Sequence, residues 1–423
     1  MRVNAKDVAS HTGEVIEVKG WVHRIRNLGK VIFVILRDRS GMVQLVFDTD
    51  PALTLESVIS AEGEVAANDK AKGGVELQVK KHSIYSKAEA DLPIPVNQDL
   101  DKLSLDTILD HRMISLRNPK IRSIFELQSA ILDYFGSYMR SEGFTEIKTS
   151  KIISTGTEGG TGLFSVDYFG TKVFLAQSPQ FYKQAMVASG LERVFEIGCA
   201  YRAEKHDTPR HLNEYVSLDV EMAFIDSEKE LIELEKRILK AVFSRIAQTN
   251  GEQLALWNAT VPQPDSVDAI PTVSHEEAKE IISKATGHRV FEINPEGERV
   301  LCDWAGREYG IDAVFVNDFP RKERPFYAYP VGQKTMSFDL LFRGLEITTG
   351  GRRINEYQML LENLPKFGLS PESLSDYLQI FKYGCPPHGG FAIGLERLTQ
   401  KILGLSNVKE ASLFPRDRKR VRP

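Results

Sequence analysis

Three groups of residues in this sequence could carry chemistry. The densest is the run from Tyr201 to Tyr215, which holds Arg202, Glu204, Lys205, His206, Arg210 and His211. It lies between two β-like runs and reads as a hairpin with a charged tip, either merely solvated or shaped to clamp a triphosphate. Arginine suits the clamp, because its planar fork meets phosphate oxygens at two points. The second group is Asp339 and Glu346, seven residues apart across the turn Phe342-Arg343-Gly344-Leu345. On two paired strands both carboxylates can face one side and hold Mg²⁺ beside phosphates; otherwise they are surface residues of a hairpin. The third is the run from Gly389 to Arg397, whose small residues let a strand lead closely into a helix with Arg397 in its first turn. An arginine facing inward there is costly unless it meets an anion. No GxxxxGK[ST] run occurs. The glycines of residues 156–162 lack the lysine and the strand-to-helix setting of a phosphate cradle, so that stretch reads as a mobile loop.

Elements must hold these groups in place. Residues 1–97 read as short strands with polar turns: Glu14 to Val22 alternates, Val31 to Leu36 is a buried β-run, Gly41 to Phe47 follows the turn Asp38-Arg39-Ser40, and Gly74 to Val79 alternates again. This pattern predicts a small β-barrel of the OB type. Leu92-Pro93-Ile94-Pro95-Val96 reads as an extended linker, since each proline bars helix at the residue before it, and residues 98–120 as a hinge. Beyond it, Ile121, Ile124, Phe125, Gln128, Ile131, Leu132, Phe135 and Met139 form a helical stripe that stops at Gly143. Ser227 with Glu230, and Ser274 with Glu277, are capping boxes opening two helices that end at Gly251 and Gly287. Ser370-Pro371 opens another. Strand-like runs at 194–201, 214–224, 337–342 and 345–348 lie between the helices. Residues 121–423 therefore predict an α+β domain, built on a mostly antiparallel sheet flanked by helices.

Composition narrows the class. A chain of 423 residues is too long for one ordinary core. The formal net charge is −4, so any nucleic-acid contact must come from local basic patches. No apolar run approaches the ~18 residues needed to span a membrane, and the N-terminus has no apolar signal core. Cys199, Cys302 and Cys385 form no CxxC pair. That argues against a disulfide framework or a cysteine zinc site and fits a reducing cytoplasm.

In order and spacing, these runs resemble the motifs of the class II aminoacyl-tRNA synthetases over essentially the whole chain. Tyr201 to Tyr215 resembles motif 2 (Arg-x-Glu, a loop, then Arg-His-x-x-Glu). Gly390 to Arg397 resembles motif 3, and the helix from 121 with Phe144-Thr145-Glu146-Ile147 resembles motif 1. The barrel run Gly20 to Gly29, with Phe33, resembles the anticodon-binding domain of the aspartate, asparagine and lysine subgroup. The run Phe174 to Gln184 is similar to that of the aspartyl-tRNA synthetases of compact archaeal type. Motif 1 usually carries proline after Glu-Ile-x-Thr; Ser150 stands there in this chain.

The resemblance implies an ATP-dependent aspartate–tRNA ligase that works as a cytoplasmic homodimer, through an aspartyl-adenylate and with Mg²⁺ as cofactor. An asparaginyl-tRNA synthetase and a strictly discriminating aspartyl enzyme are the alternatives. It implies that Arg202 bridges the α-phosphate and the attacking carboxylate. Arg210, His211 and Arg397 would hold the outer phosphates, Glu204 and Tyr215 the adenine, and Asp339, Glu346 and Thr349 the metal. Lys183 and Arg353 converge on one small pocket and repel unless an anion lies between them; the side-chain carboxylate of aspartate would be that anion, with Asp219 orienting the pair. Glu158, Ser178 and Gln180 would receive the α-ammonium group. In the barrel, Phe33 is a stacking platform for an anticodon base or a core residue, and Arg26 and Gln44 offer bonds to base edges. Family members that reject tRNA-Asn typically have tryptophan after Gly-Trp-Val, whereas those accepting it tend to have histidine. His23 and the small loop Ala71-Lys72-Gly73-Gly74 therefore imply charging of tRNA-Asn as well as tRNA-Asp, for a downstream amidotransferase. The basic stretch Arg416 to Arg422 reads as solvated, or as a contact for the tRNA acceptor end.

Overall fold

A computed structural model describes residues 2–156 and 162–423. The chain divides into two compact units, Met1–Asn118 and Pro119–Pro423. In the first, strands β1 (Val15–Asn27), β2 (Ile32–Arg37), β3 (Met42–Phe47), β4 (Val58–Ala67) and β5 (Val75–Ser86) close a barrel in the order β1-β2-β3-β5-β4. Closure depends on the length of β1, whose first half pairs with β4 and whose second half pairs with β2. Alternate residues fill the barrel: Val34 and Leu36, Leu45 and Phe47, Ile59 and Ala61 are all buried. The β1–β2 register slips at His23, between Val22 and Arg24, which marks a bulge there. Residues 92–98 have no regular element, yet they are not a free linker. Ile94 and Val96 are buried, and Asn118 donates to the carbonyls of Val96 and Gln98, both at 3.0 Å. Two short helices, Leu105–Asp110 and Arg112–Ser115, complete this unit.

The second unit runs α1 (Pro119–Ser141), β6 (Thr145–Glu146), α2 (Gln180–Met186), β7 (Arg193–Tyr201), β8 (Glu214–Ala223), α3 (Glu228–Thr249), β9 (Thr272–Ser274), α4 (His275–Thr286), α5 (Pro295–Tyr309), β10 (Ala313–Asn317), β11 (Ser337–Phe342), β12 (Leu345–Arg353), β13 (His388–Gly394) and α6 (Leu395–Leu403), with shorter pieces between them. The eight strands form one sheet in the order β9-β10-β11-β12-β13-β8-β7-β6. Both edge pairs are parallel and the pairs between them antiparallel. Ile124, Leu127, Ile131 and Phe135 of α1 join Leu231, Ile238 and Val242 of α3 over Leu218, Val220 and Phe391 of the sheet. Each such fully buried side chain contributes roughly 1.5–3 kcal/mol.

Both capping boxes form, at Ser227 and Ser274, and Gly287 (φ 77°) ends α4 in the left-handed region that glycine tolerates. Gly251 does not stop α3. Asn250 is the cap, and Gly251 begins the next short helix, Gly251–Ala255. Ser370-Pro371 leads first into a 3₁₀ turn, Glu372–Leu374, and the α-helix begins only at Ser375; such tight turns are common at helix starts. Among the described residues no helix is long and apolar enough to cross a membrane.

Candidate active site

The period of two along the central strands sorts their side chains. On β8, Leu218 and Val220 enter the core, while Tyr215, Ser217 and Asp219 face a cavity of about 410 Å³. From β12 come Thr349 and Arg353, from β13 Ala392 and Gly394, and from the first turn of α6 Arg397. The loop between β7 and β8 adds Arg202, Glu204, Arg210 and His211, and the start of α2 adds Gln180 and Lys183, with Ser178 just before it. Glu346 also lines this cavity, so residues from four segments distant in sequence share it. Glu158 lies outside the described residues.

One end of the cavity is a four-membered charge cluster. Lys183, with a side chain 2% exposed, places Nζ 3.0 Å from Asp219 Oδ1 and 3.3 Å from Glu221 Oε2. Arg353 Nε donates to Glu221 Oε1 at 3.2 Å, and its Nη2 donates to the Gly390 carbonyl at 3.0 Å and to Gln180 Oε1 at 3.3 Å. The two cations therefore do not wait for an external anion: Glu221, fully buried, already lies between them. Burial pushes its carboxyl up, but the charges of Arg353 and Lys183 outweigh that and hold its pKa below the ordinary value. Glycine at 390 makes room for this carboxylate, since a Cβ there would sit 2.2 Å from Glu221 Oε2. Glu221 was legible in principle, because Asp219 and Glu221 are two apart on one strand.

At the other end, Arg397 Nη1 donates to the Glu346 carbonyl at 2.8 Å and to its Oε1 at 3.3 Å, so this arginine does meet an anion. Thr349 Oγ1 lies 3.4 Å from the same carboxylate oxygen. Residues three apart on a regular strand point to opposite faces. A bulge in β12 reconciles them: Leu340 pairs with Thr348 but Leu341 with Glu346, leaving Ile347 as the extra residue. Arg210 pairs with Glu298 of α5, and Glu298 Oε2 also accepts the N–H of Glu346 at 3.0 Å. His211 Nδ1 is 2.6 Å from Thr208 Oγ1. Burial, then the charge of Arg397, holds the pKa of its ring below the ordinary value. The Arg202 guanidinium lies 5.7 Å from the centre of the Tyr215 ring.

Asp339, which pairs with Thr349 on the neighbouring strand, is buried, and both its oxygens are taken by Arg324, with Nη1–Oδ1 2.9 Å and Nη2–Oδ2 2.6 Å. Burial pushes its carboxyl up to about 6 against the pull of Arg324, and Glu346 adds to the rise. Neither Arg324 nor Glu298 stood out in the sequence, since each reaches its partner from a separate segment.

On the barrel, Phe33 lies on the outer face, paired with Arg26 on β1 and Val46 on β3, while Ile32 and Val34 point inward. The core alternative for Phe33 is thereby set aside. Gln44 Nε2 donates to Glu76 Oε2 at 2.8 Å. His23 is 9% exposed, with Nδ1 2.9 Å from Arg37 Nη1. Arg37 can only donate, and it also pairs with the buried Glu56 through Nη1 at 3.0 Å and Nη2 at 2.8 Å. Burial, then the charge of Arg37, lowers the His23 pKa to about 4. The ring is therefore neutral with its proton on Nε2. It offers its surroundings a donor, rather than a choice of donor and acceptor.

Two family descriptions match the chain: tRNA synthetases class II (D, K and N) over residues 104–418, and the OB-fold nucleic acid binding domain over residues 16–84. An aspartate–tRNA(Asp/Asn) ligase of Thermus thermophilus is 46% identical over 425 residues, covering 100% of both chains. An aspartate–tRNA(Asp) ligase of Pyrococcus abyssi is 41% identical, covering 97% of each. Among solved structures, asparaginyl-tRNA synthetase from Pyrococcus horikoshii, complexed with asparaginyl-adenylate, superposes with a TM-score of 0.93 at 27% identity, covering 100% of each chain.

Proposed function

The chain belongs to the class II tRNA synthetases of the D, K and N group, and on that footing we propose that it is an aspartate–tRNA ligase that charges tRNA-Asp and also tRNA-Asn. One observation carries the amino-acid choice. Lys183 and Arg353 close one end of a cavity whose other end presents Arg202, Arg210, His211 and Arg397. A short acid thus fits against the donors of Lys183 and Arg353 and a polyphosphate against the other end.

Adenylate formation is an attack of the aspartate α-carboxylate on the α-phosphorus of ATP, with pyrophosphate leaving. The carboxylate is ionised at neutral pH, so no general base is needed; the protein positions the reactants and neutralises charge. Arg202 bridges the attacking carboxylate and the α-phosphate. Arg210 exchanges Glu298 for phosphate oxygens, together with His211 and Arg397. Glu204 accepts from the adenine amino group and Tyr215 stacks on the ring. Lys183 and Arg353 bind the substrate side chain, Asp219 and Glu221 hold the two cations apart, and Glu158, Ser178 and Gln180 receive the α-ammonium group. A neutral asparagine side chain would exchange the charge-assisted bonds to Lys183 and Arg353 for weaker ones. A ribose hydroxyl of the tRNA's terminal adenosine then attacks the carbonyl carbon of the mixed anhydride, forming the ester as the acyl–phosphate bond breaks and AMP leaves.

Among the described residues no cluster of three or more His, Cys, Asp and Glu side chains is placed to hold a metal. Glu346 and Thr349 nevertheless offer hard oxygen donors that fit Mg²⁺ beside phosphates, whereas Asp339 would join them only by giving up Arg324, which takes both its oxygens. Bound Mg²⁺ would neutralise phosphate charge.

On the barrel, Phe33 stacks an anticodon base and Arg26, Gln44 and His23 meet base edges. The protein acts in the cytoplasm as a homodimer through α1 and β6. A monomeric mass by light scattering, with full activity, would count against the dimer. The test of the whole reading is ATP–pyrophosphate exchange with aspartate and with asparagine, followed by charging of both purified tRNAs. Exchange with asparagine alone would make the chain an asparaginyl enzyme.

A further inference from the structure

The loop joining β7 to β8, residues 202–213, brings five residues to the cavity but forms no helix or strand. Such a loop needs outside support to present them in one geometry. The far end of the chain supplies it. Lys409, with a side chain 11% exposed, places Nζ 2.7 Å from Asp207 of the loop and 2.7 Å from Asp417. Asp417, buried, also accepts from the N–H groups of Lys419 at 2.7 Å and Arg420 at 2.9 Å, which folds the chain end against it. Backbone joins the tie: Val408 N–H donates to the Pro209 carbonyl at 2.9 Å, and Asn213 N–H to the Arg416 carbonyl at 2.8 Å. Arg418 Nη1 donates to the Lys205 carbonyl at 3.2 Å. The stretch from Arg416 is thus not simply solvated, as its charge suggested: its first residues grip the loop, while Arg418, Lys419, Val421 and Arg422 remain exposed. Burial opposes the charge on Lys409, but the two carboxylates outweigh it and raise its pKa.

We propose that residues 408–420 act as a strap that sets the loop in its ATP-gripping position, with Lys409 and Asp417 as positioning residues for Arg210 and His211. The proposal rests on the reading of the cavity as an ATP site. Pro209, whose carbonyl the strap holds, directly precedes Arg210, and Val408 itself lines the cavity. Releasing the tie leaves every ligand-facing group in place but makes ATP order the loop as it binds, which costs affinity.

The experiment uses full-length Lys409→Met, Lys409→Arg and Asp207→Asn, each checked for an unchanged Tm, in aspartate-dependent ATP–pyrophosphate exchange. Lys409→Met and Asp207→Asn are expected to raise KM for ATP by about tenfold, or roughly 1.4 kcal/mol. KM for aspartate should stay within about twofold, Lys409→Arg should restore most of the loss, and the double variant should add nothing further, since both act on one tie. An unchanged KM for ATP in folded Lys409→Met, or equal rises in both KM values, would overturn the strap. If Lys409→Met does not fold, Asp207→Asn decides alone, because it leaves the Lys409–Asp417 pair intact. If the unmodified protein shows no aspartate-dependent exchange, the substrate reading has failed. The strap is then judged by calorimetric ATP affinity of Asp207→Asn against the unmodified protein, and equal affinities would sink it.

Discussion

Arg324 grips both carboxylate oxygens of Asp339, at 2.9 and 2.6 Å, opposite Thr349 on the neighbouring strand. The pair is nearly dry, with side chains 8% and 11% exposed. A buried pair broken on one side loses about 3–5 kcal/mol, because the remaining charge is stranded.

Asp339 and Glu346 are therefore expected to differ when replaced. Asp339→Ala and Glu346→Ala should each slow adenylate formation, with added Mg²⁺ recovering part of the loss. Only Asp339→Ala should also lower Tm markedly, because it strands Arg324. Normal Mg²⁺ dependence in both variants would place the metal elsewhere.

Lys183→Leu leaves Asp219 and Glu221 to share Arg353, turning a balanced cluster net negative. KM for aspartate in pyrophosphate exchange should rise more than tenfold, a loss of roughly 1.4 kcal/mol or more, with KM for ATP nearly unchanged. An unaltered kcat/KM for aspartate would remove Lys183 from the substrate site.

Glu235 of α3 gives a pH dependence. It is fully buried, accepts from Thr348 Oγ1 at 2.6 Å through one oxygen, and has no partner for the other among the described residues. Burial raises its pKa from 4.5 to about 8. The unfolded chain releases this proton near 4.5 and the folded protein only near 8, so stability falls as pH rises across that window. Glu235→Gln cannot ionise and should escape the fall. Its advantage should grow from nothing near pH 4.5 to roughly 3–5 kcal/mol above pH 8. Denaturant unfolding at several pH values checks this, and a gain independent of pH would show that the carboxyl ionises normally.

His23 bears on tRNA choice. A fixed Nε2–H finds an acceptor on either cytosine or uracil, so the third anticodon base need not be distinguished. Purified tRNA-Asn should be charged within about 100-fold of tRNA-Asp, a gap below roughly 2.7 kcal/mol. With the ring pKa near 4, that ratio should not change between about pH 5.5 and 8.5. A larger gap would make the enzyme discriminating, and a ratio that shifts near pH 6.5 would mean the ring titrates.

What the sequence determined by itself was whatever depends on near neighbours. Capping boxes at Ser227 and Ser274 and the stripe from Ile121 to Met139 are local spacings, and they appear as helices. Alternation on β8 likewise separated Asp219 from Leu218 and Val220. Thirteen of the residues singled out, from Ser178 to Arg397, line one cavity because each lies in a run recognisable on its own. Tertiary structure alone decided who neutralises whom. Glu298 reaches Arg210 across 88 residues, Arg353 reaches Glu221 across 132, and Lys409 reaches Asp207 across 202. The bulge at Ile347 also escaped the sequence, because a strand's period cannot reveal where one residue will be left unpaired. Charge pairing is set by distance and burial, and both are properties of the folded chain rather than of any local run.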